Sequence, residues 1–363
     1  MVIAAQVRNE RCLPLSRWGV ACQACLSACP TNAISFSGSQ LLVSDRCFGC
    51  GRCAASCPTG ALTAGGFEGL AEETSIVESA IVRLECTRVP KADSVAGATR
   101  VPCLGGLGTD DLLVLREVAG DRAIRLMDRG WCAECPAGKG DFTLDGVIAP
   151  ARAALAAIGY APALLPVIER RPLPAARRDD ESTATGAMSR RALFRRLSID
   201  APARRPADDP RFPPAARRRA ENDTILRLAH RAGRDLPALF PRAAIAKTCS
   251  DHRICAAACP TGALAVREMG VSRGVVFESS RCLACGRCES VCPTGSIRIA
   301  SAGGHLGTVT LTAFDLVVCP ECEDEFVDRD GMGVCPTCRK ERAILSSSLT
   351  PRVSIQEREE SAP

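Results

Sequence analysis

The sequence predicts an α+β chain in which two small cysteine-built modules flank an α/β layer, with a paired cysteine knuckle behind them. Three observations predict it. One phrase recurs four times, as ACPTNAI around Pro30, SCPTGAL around Pro58, ACPTGAL around Pro260 and VCPTGSI around Pro293. The first two copies lie 28 residues apart and the last two 33 apart, so each pair reads as two halves of one unit. Between the pairs, apolar strand-like runs alternate with helical runs. Finally, 23 of the 363 residues are cysteine, at spacings that suit metal ligands rather than disulfides.

In chain order, residues 1–70 form the first module, with its repeat core near 10–67. Residues 75–165 form the α/β layer. There IVRLEC (81–86) and AIRLMD (123–128) read as buried strands, and DDLLVLREVA (110–119) and the Ala-rich run from Gly146 to Ile158 read as helices. Residues 166–222, rich in Pro, Arg and Ala, read as a linker. Residues 223–305 hold the second module, with its repeats at 240–302. Residues 306–345 carry the strand LTAFDLVV and the knuckle pair, and 346–363 form a polar tail.

Charge is uneven along the chain. The net charge is +5, yet Arg170 to Arg219 holds 14 Arg against 6 acidic residues, so the rest is slightly acidic. A nucleic-acid surface over the whole protein is therefore not indicated. The start MVIAAQVRNERCLPL lacks the apolar run of a signal peptide, and no stretch of 18 apolar residues occurs. Thiolates that bind metal must stay reduced, which points to the cytoplasm.

The most specific motifs are CFGCGRCAASCP (47–58) and CLACGRCESVCP (282–293), both C-x2-C-x2-C-x3-C-P. A tight C-x2-C-x2-C loop wraps three irons of a cubane cluster, while the fourth Cys, expected to open a short helix, serves the other cluster of the pair. The following Pro fixes the backbone and donates no hydrogen bond.

On these residues, 11–67 and 240–302 resemble bacterial-type dicluster ferredoxin domains. The resemblance implies a pseudo-twofold pair of β-hairpins and short helices, holding [4Fe–4S] clusters that act as one-electron relays. The first module departs from the pattern: Gly19 occupies the place of a first ligand, and Cys12 is its natural replacement if the loop folds back. One cluster then falls to Cys12, Cys22, Cys25 and Cys57, the other to Cys29, Cys47, Cys50 and Cys53. In the second module Cys259, Cys282, Cys285 and Cys288 form one set, and Cys249, Cys255 and Cys292 the other, with His252 where a second ligand belongs. A [3Fe–4S] cluster beside a solvent-facing His252, or a four-iron cluster with His252 as ligand, are both open. Three or four [4Fe–4S] clusters are expected.

Cys86, Cys103, Cys132 and Cys135 punctuate the α/β layer. Loops at the carboxyl ends of parallel strands gather on one edge, where such folds bind ligands. A [2Fe–2S] cluster, a [4Fe–4S] cluster or zinc fits four converging thiols; the alternative is a redox dithiol at Cys132 and Cys135. VPCLGG followed by a C-x-x-C loop resembles the small delta subunit found with methyl-viologen-reducing hydrogenase and heterodisulfide reductase. The tail motif, Cys319-x2-Cys322-x12-Cys335-x2-Cys338, predicts a zinc-ribbon-like site on two facing hairpins, with rubredoxin-type iron as the alternative.

Within the linker, SRRALFRRLS (189–198) predicts a short amphipathic helix able to dock on a partner or an anionic surface. Phosphate-binding, dinucleotide-binding and radical-SAM signatures are missing, and the three His (His230, His252, His305) join no catalytic constellation. The expectation is an electron-transfer subunit serving a partner of hydrogenase, heterodisulfide reductase or formate dehydrogenase type. Alternatives are a redox-responsive regulator that contacts nucleic acid, or a thiol/disulfide reductase subunit using Cys132 and Cys135.

Overall fold

The computed structural model describes residues 5–17, 19–76, 79–138, 142–173, 216–234, 239–329 and 331–348. The first module opens with β1 (Gln6–Val7), α1 (Ala24–Ala28), the hairpin β2 (Ile34–Ser37) and β3 (Gln40–Val43), α2 (Arg52–Ser56) and β4 (Leu62–Thr63). β1 pairs antiparallel with β4, and β2 with β3, giving two similar halves. Ile34, Leu41 and Leu62 pack with Cys12, Cys25, Cys53 and Cys57 in one small core. In place of bulky side chains, sulfur fills the centre.

The short helices depart from the expected placement of their cysteines. Cys29 and Cys57 do not open the short helices; they close them, as the C-caps of α1 and α2. The Pro that follows each clashes with a helical predecessor, so both cysteines turn extended, at φ −78°, ψ 111° and φ −75°, ψ 114°.

Next come α3 (Leu70–Ile76), β5 (Ile81–Cys86), β6 (Thr99–Val101), α4 (Thr109–Ala119), β7 (Ala123–Asp128), α5 (Leu144–Ala157) and β8 (Val167–Arg170). The four strands form one parallel sheet in the order β6-β5-β7-β8. Val82 and Leu84 of β5 and Ile124 and Leu126 of β7 are buried against Leu112 and Leu115 of α4 and Ile148 and Ala151 of α5. Asp111 accepts the Gly108 amide at 2.8 Å and the Thr143 hydroxyl accepts the Gly146 amide at 3.1 Å, which fixes the starts of α4 and α5.

Both ends of the linker expected over 166–222 are regular structure, and its middle, 174–215, lies outside the described residues. Its first residues form β8, the edge of the sheet, and its last lie in α6 (Ala216–Arg231). Ile225, Leu228 and Ala229 of α6 recur at helical spacing and are buried against Leu113, Leu155 and Phe240. The helix predicted at 189–198 lies outside the described residues.

The second module follows with β9 (Phe240–Ile245), α7 (Ile254–Ala257), β10 (Leu264–Met269), β11 (Ser272–Glu278), α8 (Arg287–Ser290) and β12 (Ile297–Gly304). β9 pairs with β12 and β10 with β11, both antiparallel. The strand expected to begin the knuckle region, β13 (Thr308–Val318), instead joins the module's own sheet by pairing with β11. β14 (Glu325–Val327) pairs with the end of β13. The second knuckle then sits at the start of a helix, α9 (Pro336–Ser348), and not on a facing hairpin. Among the described residues, no helix is long and apolar enough to cross a membrane.

Candidate iron–sulfur and metal sites

The repeated Cys-Pro-Thr phrase has a local purpose. Threonine oxygens lie 3.7 Å from Cys29 Sγ (Thr31), 3.5 Å from Cys57 (Thr59), 3.6 Å from Cys259 (Thr261) and 3.5 Å from Cys292 (Thr294). The backbone amides of Ala33, Ala61 and Ser296 donate to the sulfurs of Cys29, Cys57 and Cys292 at 3.2, 3.2 and 3.3 Å. Burial opposes ionisation of these thiols, yet the hydrogen bonds outweigh it. Cys29 and Cys57 sit below their ordinary value, and Cys292 falls to about 7. Donors aimed at sulfur stabilise thiolate. These threonines were missed as functional residues, although the phrase carrying them was plain in the sequence.

In the first module the chain folds back after Cys12: Ser16 N donates to Cys12 O at 2.8 Å, Gly19 turns at φ +52°, and Val20 N donates to Leu13 O. Cys12 thereby lies beside Cys22 and Cys57. Burial, with Cys57, Cys12 and Cys22 adding to it, pushes Cys25 up to about 11. The second group behaves alike: burial, then Cys50, Cys47 and Cys29, push Cys53 up to about 12. The structure thus brings the eight cysteines into two groups of four, and each run's fourth cysteine crosses to its neighbour.

In the second module, burial and the neighbouring Cys259, Cys282 and Cys285 push Cys288 up to about 12. Cys255 is raised by burial, with Cys249 and Cys292 close by. His252 is exposed, on a loop flanked by Asp251 (φ 51°) and Arg253 (φ 58°). Asp251 is held inward by Arg273 at 3.1 Å, which fixes the loop while the imidazole faces out.

The four cysteines of the parallel layer converge as well. Cys86 ends β5, while Cys132 and Cys135 follow β7. Cys103 follows β6, a short strand that sequence reasoning did not find. Together with Arg88 and Trp131 they line one recess at the carboxyl edge of the sheet. Burial, with Cys86 adding to it, pushes Cys103 up to about 12; burial, then Asp128, Cys86 and Cys135, pushes Cys132 up to about 11. Cys86, Cys103 and Cys132, all raised by burial, ionise readily only around a cation, so the donor set fits a metal or cluster. Beneath it, fully buried Glu85 accepts from Arg129 at 3.0 Å and from Ser94 at 2.5 Å.

This recess abuts the first module. Cys50 packs with Cys103 and Ala137. A Cβ on Gly106 would stand 2.3 Å from the Cys50 carbonyl, so the glycines of VPCLGGLG permit the approach. Arg52 seals it, donating to Ala137 O at 2.8 Å with its guanidinium 4.5 Å from the Phe142 ring centroid.

In the tail, Cys319, Cys322, Cys335 and Cys338 lie with all four sulfurs within 4.8 Å of one another. The edges Cys319–Cys338 and Cys322–Cys335 measure 4.0 and 3.7 Å. A tetrahedron of thiolates around one zinc has edges of roughly 3.8 Å. The other cysteine groups are wider, and among the described residues no other His, Cys, Asp or Glu set is this tight.

Two family models match. Residues 20–67 match an LdpA Fe-S cluster-binding domain, and residues 248–296 match a 4Fe-4S dicluster domain. The chain carries iron–sulfur, ferredoxin-like domains. The first match begins after Cys12, and neither reaches the α/β layer or the tail. No curated protein matches the chain.

Proposed function

We propose that the protein is a multi-cluster electron-transfer subunit, which accepts and gives up single electrons on behalf of a partner oxidoreductase. The observation that carries the reading is the sorting of the module cysteines into separate groups, three of four thiols and one of three. The crossing thiols receive hydrogen bonds from Thr31, Thr59 and Thr294 and from neighbouring amides. Amide and hydroxyl donors at cluster sulfurs tune reduction potential, which a purely structural metal site does not need.

Cys12, Cys22, Cys25 and Cys57 would hold one [4Fe–4S] cluster, Cys29, Cys47, Cys50 and Cys53 a second, and Cys259, Cys282, Cys285 and Cys288 a third. Cys249, Cys255 and Cys292 would hold a [3Fe–4S] cluster, a choice supported by the outward-facing His252. Cys86, Cys103, Cys132 and Cys135 would take a further cluster or zinc, and the tail sulfurs zinc. Bound clusters supply one-electron oxidation and reduction; the chain supplies thiolates, hydrogen bonds and exclusion of water. Partners of hydrogenase, heterodisulfide reductase or formate dehydrogenase type suit this role. Use of Cys132 as a dithiol nucleophile is disfavoured, because burial raises its thiol and suppresses the thiolate.

Purification without oxygen, metal and sulfide counting, and electron paramagnetic resonance at stepped potentials test the reading. The expected result is at least three cubane signals and one three-iron signal that His252→Cys converts to a four-iron one. Colourless protein loaded only with zinc sinks the reading.

A further inference from the structure

Helix α6 carries two adjacent arginines that face different modules. Arg217 donates to the carbonyls of Cys57 at 2.6 Å and Ala55 at 3.1 Å, and pairs with Asp110 at 2.7 Å. It also bonds the Ala54 carbonyl, so it caps the end of α2 where the Cys57 ligand emerges. Arg218 lies toward the second module: it shares a recess with Leu283 and Ala284, of the loop from Cys282 to Cys285, and pairs with Glu221 at 3.2 Å. The same recess is walled on its other side by Cys57 and Pro58. Asn222, one and a half turns along α6, donates to Ser280 O at 2.6 Å, two residues before Cys282. The Cys12/Cys22/Cys25/Cys57 site and the Cys259/Cys282/Cys285/Cys288 site therefore face each other across two ion-paired arginines.

We propose that Arg217 and Arg218 form the electron-transfer junction between the two modules, making the chain one continuous relay. Its order starts at the Cys29/Cys47/Cys50/Cys53 site. From there it passes to the site closed by Cys57, across the arginine pair to the site of Cys282, and on to Cys249/Cys255/Cys292. The inference rests on the iron–sulfur reading above. At the junction one electron leaves the reduced centre in the first module, which is oxidised, and reduces the centre in the second. No bond forms or breaks and no proton is required. Each guanidinium favours the more negative, reduced state of its own neighbour, and Asp110 on Arg217 and Glu221 on Arg218 offset part of that charge. By clamping carbonyls, Arg217 also fixes the gap.

The test uses the full anaerobic chain. Arg217→Gln should lower the potential of one first-module centre, shifting its reduced-to-oxidised ratio about tenfold at fixed potential, or about 59 mV for one electron. Arg218→Gln should do the same to a different centre, in the second module, and Arg217→Lys should restore the first. Independently, the fully reduced wild type should show a dipolar splitting between modules that Cys288→Ser abolishes and Cys255→Ser retains. The junction is overturned if iron counts hold while neither Gln variant moves a potential, or if both move the same centre. It is equally overturned if the splitting survives Cys288→Ser or is absent. Iron-free wild-type protein would instead sink the underlying reading, so the two failures are told apart.

Discussion

At the scale of single residues, chemistry is placed by the partners of each sulfur more than by the sulfur itself. Thr59 illustrates this. Its hydroxyl lies 3.5 Å from Cys57 Sγ, and Ala61 N reaches the same atom at 3.2 Å. Replacing Thr59 by Val keeps the shape and removes one donor. A hydrogen bond to a charged acceptor contributes about 1.5 kcal/mol, and if about half of that is specific to the reduced state the potential falls by roughly 30 mV. Redox titration of Thr59→Val should show this fall in one centre only, with iron content intact; an unmoved potential would deny the hydroxyl its tuning role. The cysteine runs were legible because ligand spacing is local. The threonines were visible as part of a repeated phrase, but their use depends on where the chain turns after Pro58. Cys12 is a middle case: its role could be inferred from a ligand missing at Gly19, whereas the fold-back is made by backbone bonds from Ser16 to Cys12 and Val20 to Leu13 that ligand spacing does not announce.

At the scale of elements, long periodic segments were readable and short or polar ones were not. The strands Ile81–Cys86 and Ala123–Asp128 agree with the sequence reading to the residue, since each carries its buried apolar residues at alternating positions. β6 and β8, with three and four residues, carry too little pattern to stand out. Helix α6 was hidden differently. Its first turns read ARRRAEND, which resembles the charged segment before it, and its apolar stripe is only Ile225, Leu228 and Ala229. Much of its attachment is polar: Arg227 bonds Glu117 at 2.7 and 2.9 Å, and Arg231 bonds the Glu117 carbonyl. The apolar stripe still anchors it. Leu228 is fully buried while Leu226 is 38% exposed, so the two leucines form a matched test. Leu228→Ala should destabilise the region by about 2–5 kcal/mol. Hydrogen exchange should show early loss of protection in α6 and in the α4 face it covers. Leu226→Ala should fall within about 0.5 kcal/mol of wild type. Equal effects of the two would mean that α6 is held by its arginines alone.

At the scale of the whole molecule, the cysteine sites are neighbours in space although the sequence presents them as separate stations. The α/β-layer recess meets the first module at Cys50 and Cys103, and α6 joins the first module to the second. The tail makes a further join. β13 is shared between the second module's sheet and the hairpin that leads into the knuckles, a pairing the sequence could not announce because β11 and β13 are separated by a whole cluster motif. Beyond β14, Arg329 donates to the carbonyl of Cys249, and its guanidinium stacks 4.8 Å from the Phe314 ring centroid. Asp328 beside it accepts the amides of Met332 and Gly333 at 3.1 and 2.9 Å, which ties that corner to the turn entering the second knuckle. A metal held by Cys319, Cys322, Cys335 and Cys338 would therefore support not only the tail but the loop that presents Cys249. The tail core is Phe326 and the sulfurs themselves, too small to persist without the ion. Cys335→Ser should release the tail metal and free Arg329 from its place. Iron in the first module should be unaffected, while the centre at Cys249, Cys255 and Cys292 should lose iron several-fold faster in air, read as decay of its paramagnetic signal. If that decay is unchanged once the tail metal is gone, the knuckles fold only themselves and the link through Arg329 carries no stability to the cluster site.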